Sequence, residues 1–507
     1  MNFILILICF QIFYYISSQN RLVFLYTHFR HGARAPTKLD DNFYDKIGEY
    51  WTNPGELTGV GERMQYLLGL RNRIRYIKKQ TFLSEKFDPH EILIYSTNYN
   101  RTLVSCYSQL QGLYPQKDLK GEVLTEEQIK KAYPQVDVND SEINQEIQNL
   151  GNNALPYSMI LAPVRMLNDN EKKIHIHKLK GCDEKKDEIN KQNRENIIYI
   201  SEEVKRFNKK YGERLNKFMN TENKEYSYDD ISNFCGSVLP AYAESRECIE
   251  LKKAGFDLED VNNYCWEYHR VKYLYENHGD DGKLLAHADS SKMMQEVIYY
   301  MKRRLDADIT EENEDENIKD YSRPRMIMLS GHDTSLASNE IFLIHALGLN
   351  ENETFISPKF ASQLALEVKT KNKGKTSSYS DYNVVGYFND KEIFNISADE
   401  FMDKVEKDCW SEEKIDEFCG INQTQCIDDS NNSDKEENTK TNKKDNAKTA
   451  YKVLMIIFIC LSAIFIASTI YLAYRLSKMN RISSIKMSPD ANNNQNNTST
   501  SQNYNLK

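Results

Sequence analysis

Residues 21–36 read Arg-Leu-Val-Phe-Leu-Tyr-Thr-His-Phe-Arg-His-Gly-Ala-Arg-Ala-Pro, and they constrain the chain more than any other stretch. Positions 22–26 are apolar and rich in β-formers, the pattern of a strand buried on both faces. The strand runs into Arg30-His31-Gly32-Ala33-Arg34-Ala35-Pro36. A strand ending in a polar loop is the usual ligand position of an open α/β sheet. Two guanidinium groups flank one imidazole in that loop. Arginine forks match phosphate oxygens, and several can share one dianion. Positive neighbours disfavour imidazolium, so His31 can stay neutral and nucleophilic even in acid. Gly32 leaves room where a ligand or another backbone must come close. The bland alternative is a basic surface loop after a strand.

A second apolar run, 92–95, ends in Ser96-Thr97-Asn98-Tyr99-Asn100-Arg101-Thr102 and predicts a strand, then a helix over about 103–113. A third, 326–329 after Arg325, ends in Ser330-Gly331-His332-Asp333-Thr334-Ser335, with a helix to about Leu347. Thr334 or Ser335 can cap that helix, whose N-terminal end favours an anion. Strand, polar loop and helix thus recur three times. The bland alternative for Arg101 is a surface residue at a helix start, which its strand-end context disfavours.

The first heptapeptide resembles the RHGxRxP signature of the histidine acid phosphatases. A bare Arg-His-Gly would point only to the wider phosphoglycerate mutase-like superfamily. Arg101 matches the arginine of that family's Ser-Thr-Asp-x-x-Arg-Thr motif, although Asn98 stands where the family usually has Asp. His332-Asp333 resembles the family's HD dipeptide, and Leu57-Thr58-x-x-Gly61 also recurs in it. The resemblance covers roughly residues 21–410. It implies an α/β fold, a phosphoglycerate mutase-like α/β sandwich with an inserted, mainly α-helical smaller domain. It also implies roles. His31 attacks phosphorus and forms a phosphohistidine. Arg30, Arg34, Arg101 and His332 hold the equatorial oxygens. Asp333 protonates the leaving alcohol and then activates water. No metal or cofactor is implied. The His-Asp pair differs from the His-Ala-Glu of inositol polyphosphate phosphatases, which disfavours that substrate class, whereas fungal-type phytase shares HD.

Topology follows from apolar runs and charge. Residues 1–19 predict a secretory signal, apolar over 3–16, with small residues at Ser17-Ser18. The run 453–474 carries no charged residue and has the length of a spanning helix. Arg475, Lys478, Arg481 and Lys486 follow it, as positive-inside orientation requires. Residues 427–452 are polar and charged and predict a flexible stalk; 475–507 predict a disordered cytoplasmic tail. The catalytic domain is expected over 20–426, with the helical insertion at about 116–282. Apart from Cys9 and Cys460, the cysteines are 106, 182, 235, 248, 265, 409, 419 and 426. An even number between a signal and an anchor suggests disulfides in an oxidising compartment. Eight allow on the order of a hundred connectivities, so none is assigned.

Smaller features are read conservatively. The segment 57–74 predicts a helix with apolar Met64, Leu67, Leu68, Leu70 and Ile74. Within the insertion, 234–251 and 261–275 are candidate helices, and 290–304 predicts another after it. His175-Ile176-His177 is a half-exposed strand rather than a metal pair, and His269 and His278 are ordinary helix or turn residues. Residues 362–370, 382–388 and 392–396 predict strands, with an Asn389-Asp390 hairpin turn.

The net charge of −9 argues against a nucleic-acid partner. The leading expectation is a single-pass type I membrane acid phosphatase acting on phosphate monoesters. Its catalytic domain would lie in a lysosome-like lumen or at the cell surface, as a monomer or homodimer. The alternatives are a phytase or lysophosphatidate-type phosphatase of the same family, and a catalytically silent binding ectodomain. A cytosolic mutase-like transferase is disfavoured by the signal, the anchor and the glycosylation sequons. Those stand at Asn100, Asn139, Asn352, Asn395, Asn422 and Asn431.

Overall fold

The computed structural model describes residues 20–420 except 38–50, 52, 116–122, 133, 135–140, 157–161, 168–181, 183, 186, 190, 192–197, 277–278, 311–322 and 372–376. All of these belong to one unit, Met1–Ile421. The proposed signal, stalk, spanning run and tail therefore lie outside the described residues. So do His175-Ile176-His177, His278, Cys426 and the sequons at Asn139, Asn422 and Asn431.

Among the described residues seven strands form one mixed sheet: β1 Arg21–Arg30, β2 Ile92–Thr97, β3 Arg165–Leu167, β4 Met326–Gly331, β5 Gln363–Thr370, β6 Tyr382–Phe388 and β7 Lys391–Ser397. Their order is β3-β2-β4-β1-β5-β6-β7. The first four are mutually parallel, and β5 to β7 run antiparallel beside them. β1 is central and buried along its length except at Arg21, as its unbroken apolar run requires. It extends four residues past the predicted end at Tyr26. The hairpin turn is where expected; Asn389 and Asp390 both take positive φ (47° and 69°).

Helices cover both faces. On one side lie α1 Gly59–Asn72 and α2 Asn100–Leu113, over Leu25, Phe29, Ile94 and Met328. On the other, β1 contributes Phe24 and Tyr26 to a core shared with the long helix 279–310, the helix after β4 and the helix 398–408. Each fully buried Phe or Tyr there contributes roughly 1.5–3 kcal/mol.

α1 departs from its apolar periodicity. Its buried residues are Gly61, Gln65, Gly69 and Asn72, whereas Leu67 is 54 % exposed and Ile74 beyond it 51 %. The reason is close backbone approach. A Cβ on Gly69 would strike the Gln109 carbonyl, and one on Gly112 the Tyr66 carbonyl. Small residues let α1 and α2 approach, and Gln65 spends its amide on the Arg30 carbonyl at 2.8 Å.

Between β3 and β4 the chain is helical: α3 Ile198–Phe207, α4 Glu213–Met219, α5 Tyr228–Ala243, α6 Leu258–Glu276 and α7 Gly279–Thr310. Phe207, Tyr211, Tyr226, Phe234, Tyr264 and Tyr268 give α3 to α6 an aromatic core of their own. The helix expected over 234–251 ends at Ala243, because Ser245 and Cys248 take left-handed backbone (φ 53° and 43°). α7 is much longer than the expected 290–304. Among the described residues two disulfides are present, Cys182–Cys419 and Cys235–Cys265. The second links α5 to α6. The first reaches the last described helix, α10 Glu412–Cys419, which follows α8 Asp333–Leu347 and α9 Ala398–Asp408.

Candidate active site

Strand register brings the three motifs together. Arg30 pairs with Gly331, and Ser96 with Ser330, across parallel ladders. His31, His332 and Thr97 therefore leave the sheet at one level. Gly32 is required there, because a Cβ on it would strike the Gly61 carbonyl. Thr58 caps α1, receiving Gly61 N–H at 3.2 Å and bonding through its own N–H and hydroxyl to the Ala33 carbonyl. The Leu-Thr-x-x-Gly segment is thus the floor on which the arginine loop rests.

His31 is buried, and its Nδ1 lies 2.8 Å from the Gly32 carbonyl. A carbonyl only accepts, so Nδ1 carries the proton and Nε2 keeps its lone pair. Burial, then Arg30, Arg34 and His332, hold the imidazole well below its usual pKa. Arg30 donates to the Pro358 carbonyl at 2.8 Å, pairs with Asp333 at 2.8 Å, and lies 4.5 Å from the Phe360 ring centroid. Arg34 donates to the Ala35 carbonyl, and burial pushes its pKa down to about 10. Arg101 sits in the first turn of α2, which begins three residues before its predicted start. Its guanidinium stacks 4.6 Å over Tyr99 and donates to His332 Nδ1 at 3.3 Å.

Arginine cannot accept, so His332 carries its proton on Nε2, directed to Thr97 Oγ1 at 3.0 Å. His332 is also the N-cap of α8, and Ser335 takes its N–H from inside the helix. Burial alone would raise the Asp333 pKa, but Arg30, His31, Arg34 and a hydrogen bond from Tyr273 hold the carboxyl well below its usual range. Among the described residues, the Nε–H groups of Arg30, Arg34 and Arg101 are buried and without a partner. Buried donors are ordinarily satisfied, so three around one imidazole point to an anionic ligand. All six sequence candidates (Arg30, His31, Arg34, Arg101, His332 and Asp333) lie in this one constellation. Asn98 is exposed and outside it.

Sequence reasoning missed the far wall. Trp266 lies 5.7 Å from the Arg30 guanidinium and packs edge-on against Phe360, and His269 and Tyr273 share its helix, α6. Nothing local to 258–276 signals this, because the partners come from other parts of the chain.

Residues 21–382 match the family model described as histidine phosphatase superfamily (branch 2). Putative acid phosphatase 5 of Caenorhabditis elegans is 39% identical over 101 residues, covering 20% of this chain and 23% of that one. Lysosomal acid phosphatase of Xenopus laevis is 35% identical over 100 residues, 20% and 22% of the two chains. The matched parts thus span under a quarter of these relatives. A phytase from Citrobacter braakii superposes with a TM-score of 0.49 at 15% identity, over 79% of this chain and 100% of that one. On the extent of the family match, this chain belongs to branch 2 of the histidine phosphatase superfamily.

Proposed function

We propose that this protein is an acid phosphatase that hydrolyses phosphate monoesters through a phosphohistidine. The observation that carries the reading is the His31 tautomer. With Nδ1 committed to the Gly32 carbonyl, Nε2 presents a lone pair among three arginines with unspent donors. Nε2 attacks phosphorus as the phosphorus–ester oxygen bond breaks. Arg30, Arg34 and Arg101 hold the equatorial oxygens and stabilise their charge. Asp333 gives its proton to the leaving alkoxide, then takes one from the water that releases phosphate. A phosphate oxygen beside His332 Nδ1 needs a proton there, so the dianion binds with proton uptake at that ring.

The relatives' printed names, acid phosphatase and lysosomal acid phosphatase, support the activity and an acidic compartment. For the chain as a whole we propose a cleaved signal at 1–19, a catalytic domain at 20–426 with its helical insertion at about 116–282, and a stalk at 427–452. A membrane helix at 453–474 and a cytoplasmic tail follow. The two disulfides and the exposed sequons at Asn100, Asn352 and Asn395 fit a lumenal or extracellular catalytic domain. No helix among the described residues is long and apolar enough to cross a membrane.

Rapid mixing with 32P-labelled 4-nitrophenyl phosphate, followed by a denaturing quench that preserves phosphohistidine, tests the mechanism. Wild type should retain acid-labile label on His31, and His31→Ala should neither label nor turn over. Turnover by His31→Ala would remove His31 as the nucleophile.

A further inference from the structure

α6 turns one stripe toward the catalytic groups. Trp266 stands against Phe360 and Arg30. Seven residues on, Tyr273 donates its hydroxyl hydrogen bond to the Asp333 carboxylate. His269 lies between them, three residues after one and four before the other, which is the spacing of a single helix face. Its ring packs against Trp266, Tyr268 and Tyr273, with centroids 5.9, 6.2 and 6.0 Å away. Both of its ring nitrogens are buried, and among the described residues neither has a hydrogen-bond partner. Burial, then Lys272, lowers its pKa to about 3, so the ring stays neutral throughout the acid range; Asp333, Arg30 and Arg34 are close enough to contribute.

An unmet buried polar group lowers stability. A plain wall at this point would favour Phe or Leu, which carry no such cost. An imidazole with two unmet nitrogens gains where a ligand supplies the partner. A neutral imidazole offers one donor and one acceptor. A hydroxyl can meet either nitrogen, donating to the bare one or accepting from the protonated one, whereas a second phosphate, which only accepts and carries charge, can meet the protonated one alone.

We infer that His269 is a specificity-determining residue that hydrogen-bonds a further hydroxyl on the alcohol part of the substrate, so that the favoured esters are monophosphates of sugars or polyols. Trp266 and Phe360, which pack against each other beside Arg30, add apolar atoms next to the site for the carbon skeleton of such an alcohol. The inference rests on the phosphatase reading above and adds to it what lies beyond the phosphate.

The test compares kcat/KM for glucose 6-phosphate and for 4-nitrophenyl phosphate, which lacks any further hydroxyl, in the full chain. His269→Phe preserves ring and volume; His269→Gln preserves a donor and an acceptor. The ratio of the two kcat/KM values should fall about tenfold or more in His269→Phe and recover in part in His269→Gln, because a site built to bond a hydroxyl discriminates strongly on it. Thermal melting reports whether either variant is folded, and the Gln variant alone decides should Phe fail. Equal losses on both esters, or an unchanged ratio, overturn the inference while the phosphatase reading stands. Wild type that cleaves neither ester sinks both.

Discussion

Arg30 Nη2 stands 2.8 Å from Asp333 Oδ2, so the guanidinium that should receive phosphate is bonded to the acid that should protonate the leaving group. In the proposed mechanism the pair gates the acid. While Arg30 faces it, Asp333 is ionised and cannot donate. An arriving phosphate competes for Arg30, and its own charge raises the proton affinity of the carboxylate. Substrate binding thereby primes the acid, and free enzyme and substrate complex should show different acid limbs in their pH profiles.

Asp333→Asn removes the proposed proton donor and keeps the shape. Alkyl esters, whose alkoxides leave poorly, should lose about 10²–10⁴ in rate. The 4-nitrophenyl ester, whose leaving group needs little protonation, should lose much less. Rates across a series of leaving-group pKa values give the slope, which should steepen in the variant. Parallel slopes would take Asp333 out of the acid role.

Gly32→Ala tests the floor of the arginine loop. The added methyl meets the Gly61 carbonyl, which is backbone and cannot rotate away. Overpacking of this kind costs about 1–3 kcal/mol. Here it also displaces His31 and Arg34, so turnover should fall by far more than stability. Denaturant unfolding and initial rates on one preparation separate the two. A folded variant of near-normal rate would show that the loop tolerates a shift.

The three strand-loop-helix units were legible because each pairs an apolar run with polar residues at its end, and parallel register does the rest. α1 was not legible in detail. Periodicity weighs Leu67 and Ile74 as buried, yet α1 meets α2 through Gly69 and Gly112, and glycine carries no hydrophobic signal. His269 looked ordinary for a related reason. Its neighbours on α6 are local, but Phe360, Arg30 and Asp333 reach that face only through the tertiary fold. Cysteine pairing was likewise set by tertiary approach, which spacing does not encode.

His28 makes stability depend on pH. It is fully buried beneath the site, between Ser335 Oγ at 3.4 Å and Asn339 Nδ2 at 2.9 Å, and Asn339 also reaches Tyr26. Burial lowers its pKa to about 3. In the unfolded chain it takes a proton near 6.5. Below that pH the unfolded state binds more protons, so stability falls as pH falls, until the folded histidine titrates near 3. Between pH 6.5 and 4.5 the loss is about 2 kcal/mol. His28→Gln keeps a hydrogen-bonding side chain without the titration. Urea unfolding at pH 7 and 4.5 should show wild type losing that much more than the variant. Equal losses would mean that His28 contributes nothing to acid sensitivity.

The Cys182–Cys419 bond sets where the chain can be cut. It closes a span of 237 residues and joins α10 to a cluster of Ala288, Trp410 and Ile415. Trp410 is tied in further, since its N–H donates to Ser291 Oγ at 2.8 Å and its carbonyl accepts from Gln295 at 3.1 Å. Removing a native disulfide typically costs 2–5 kcal/mol. A chain ended after Cys426 keeps the bond and α10, and should be secreted as a soluble, active enzyme if 453–474 is only an anchor. The same chain with Cys419→Ser should melt several degrees lower yet keep its kcat, because the bond lies in a cluster separate from the arginines. A chain ended at Asp408 loses Trp410, Ile415 and the cysteine together and should be the least stable of the three. Melting curves and rates on the three secreted proteins decide it. An inactive product from the chain ended after Cys426 would mean that the segment beyond belongs to the catalytic fold.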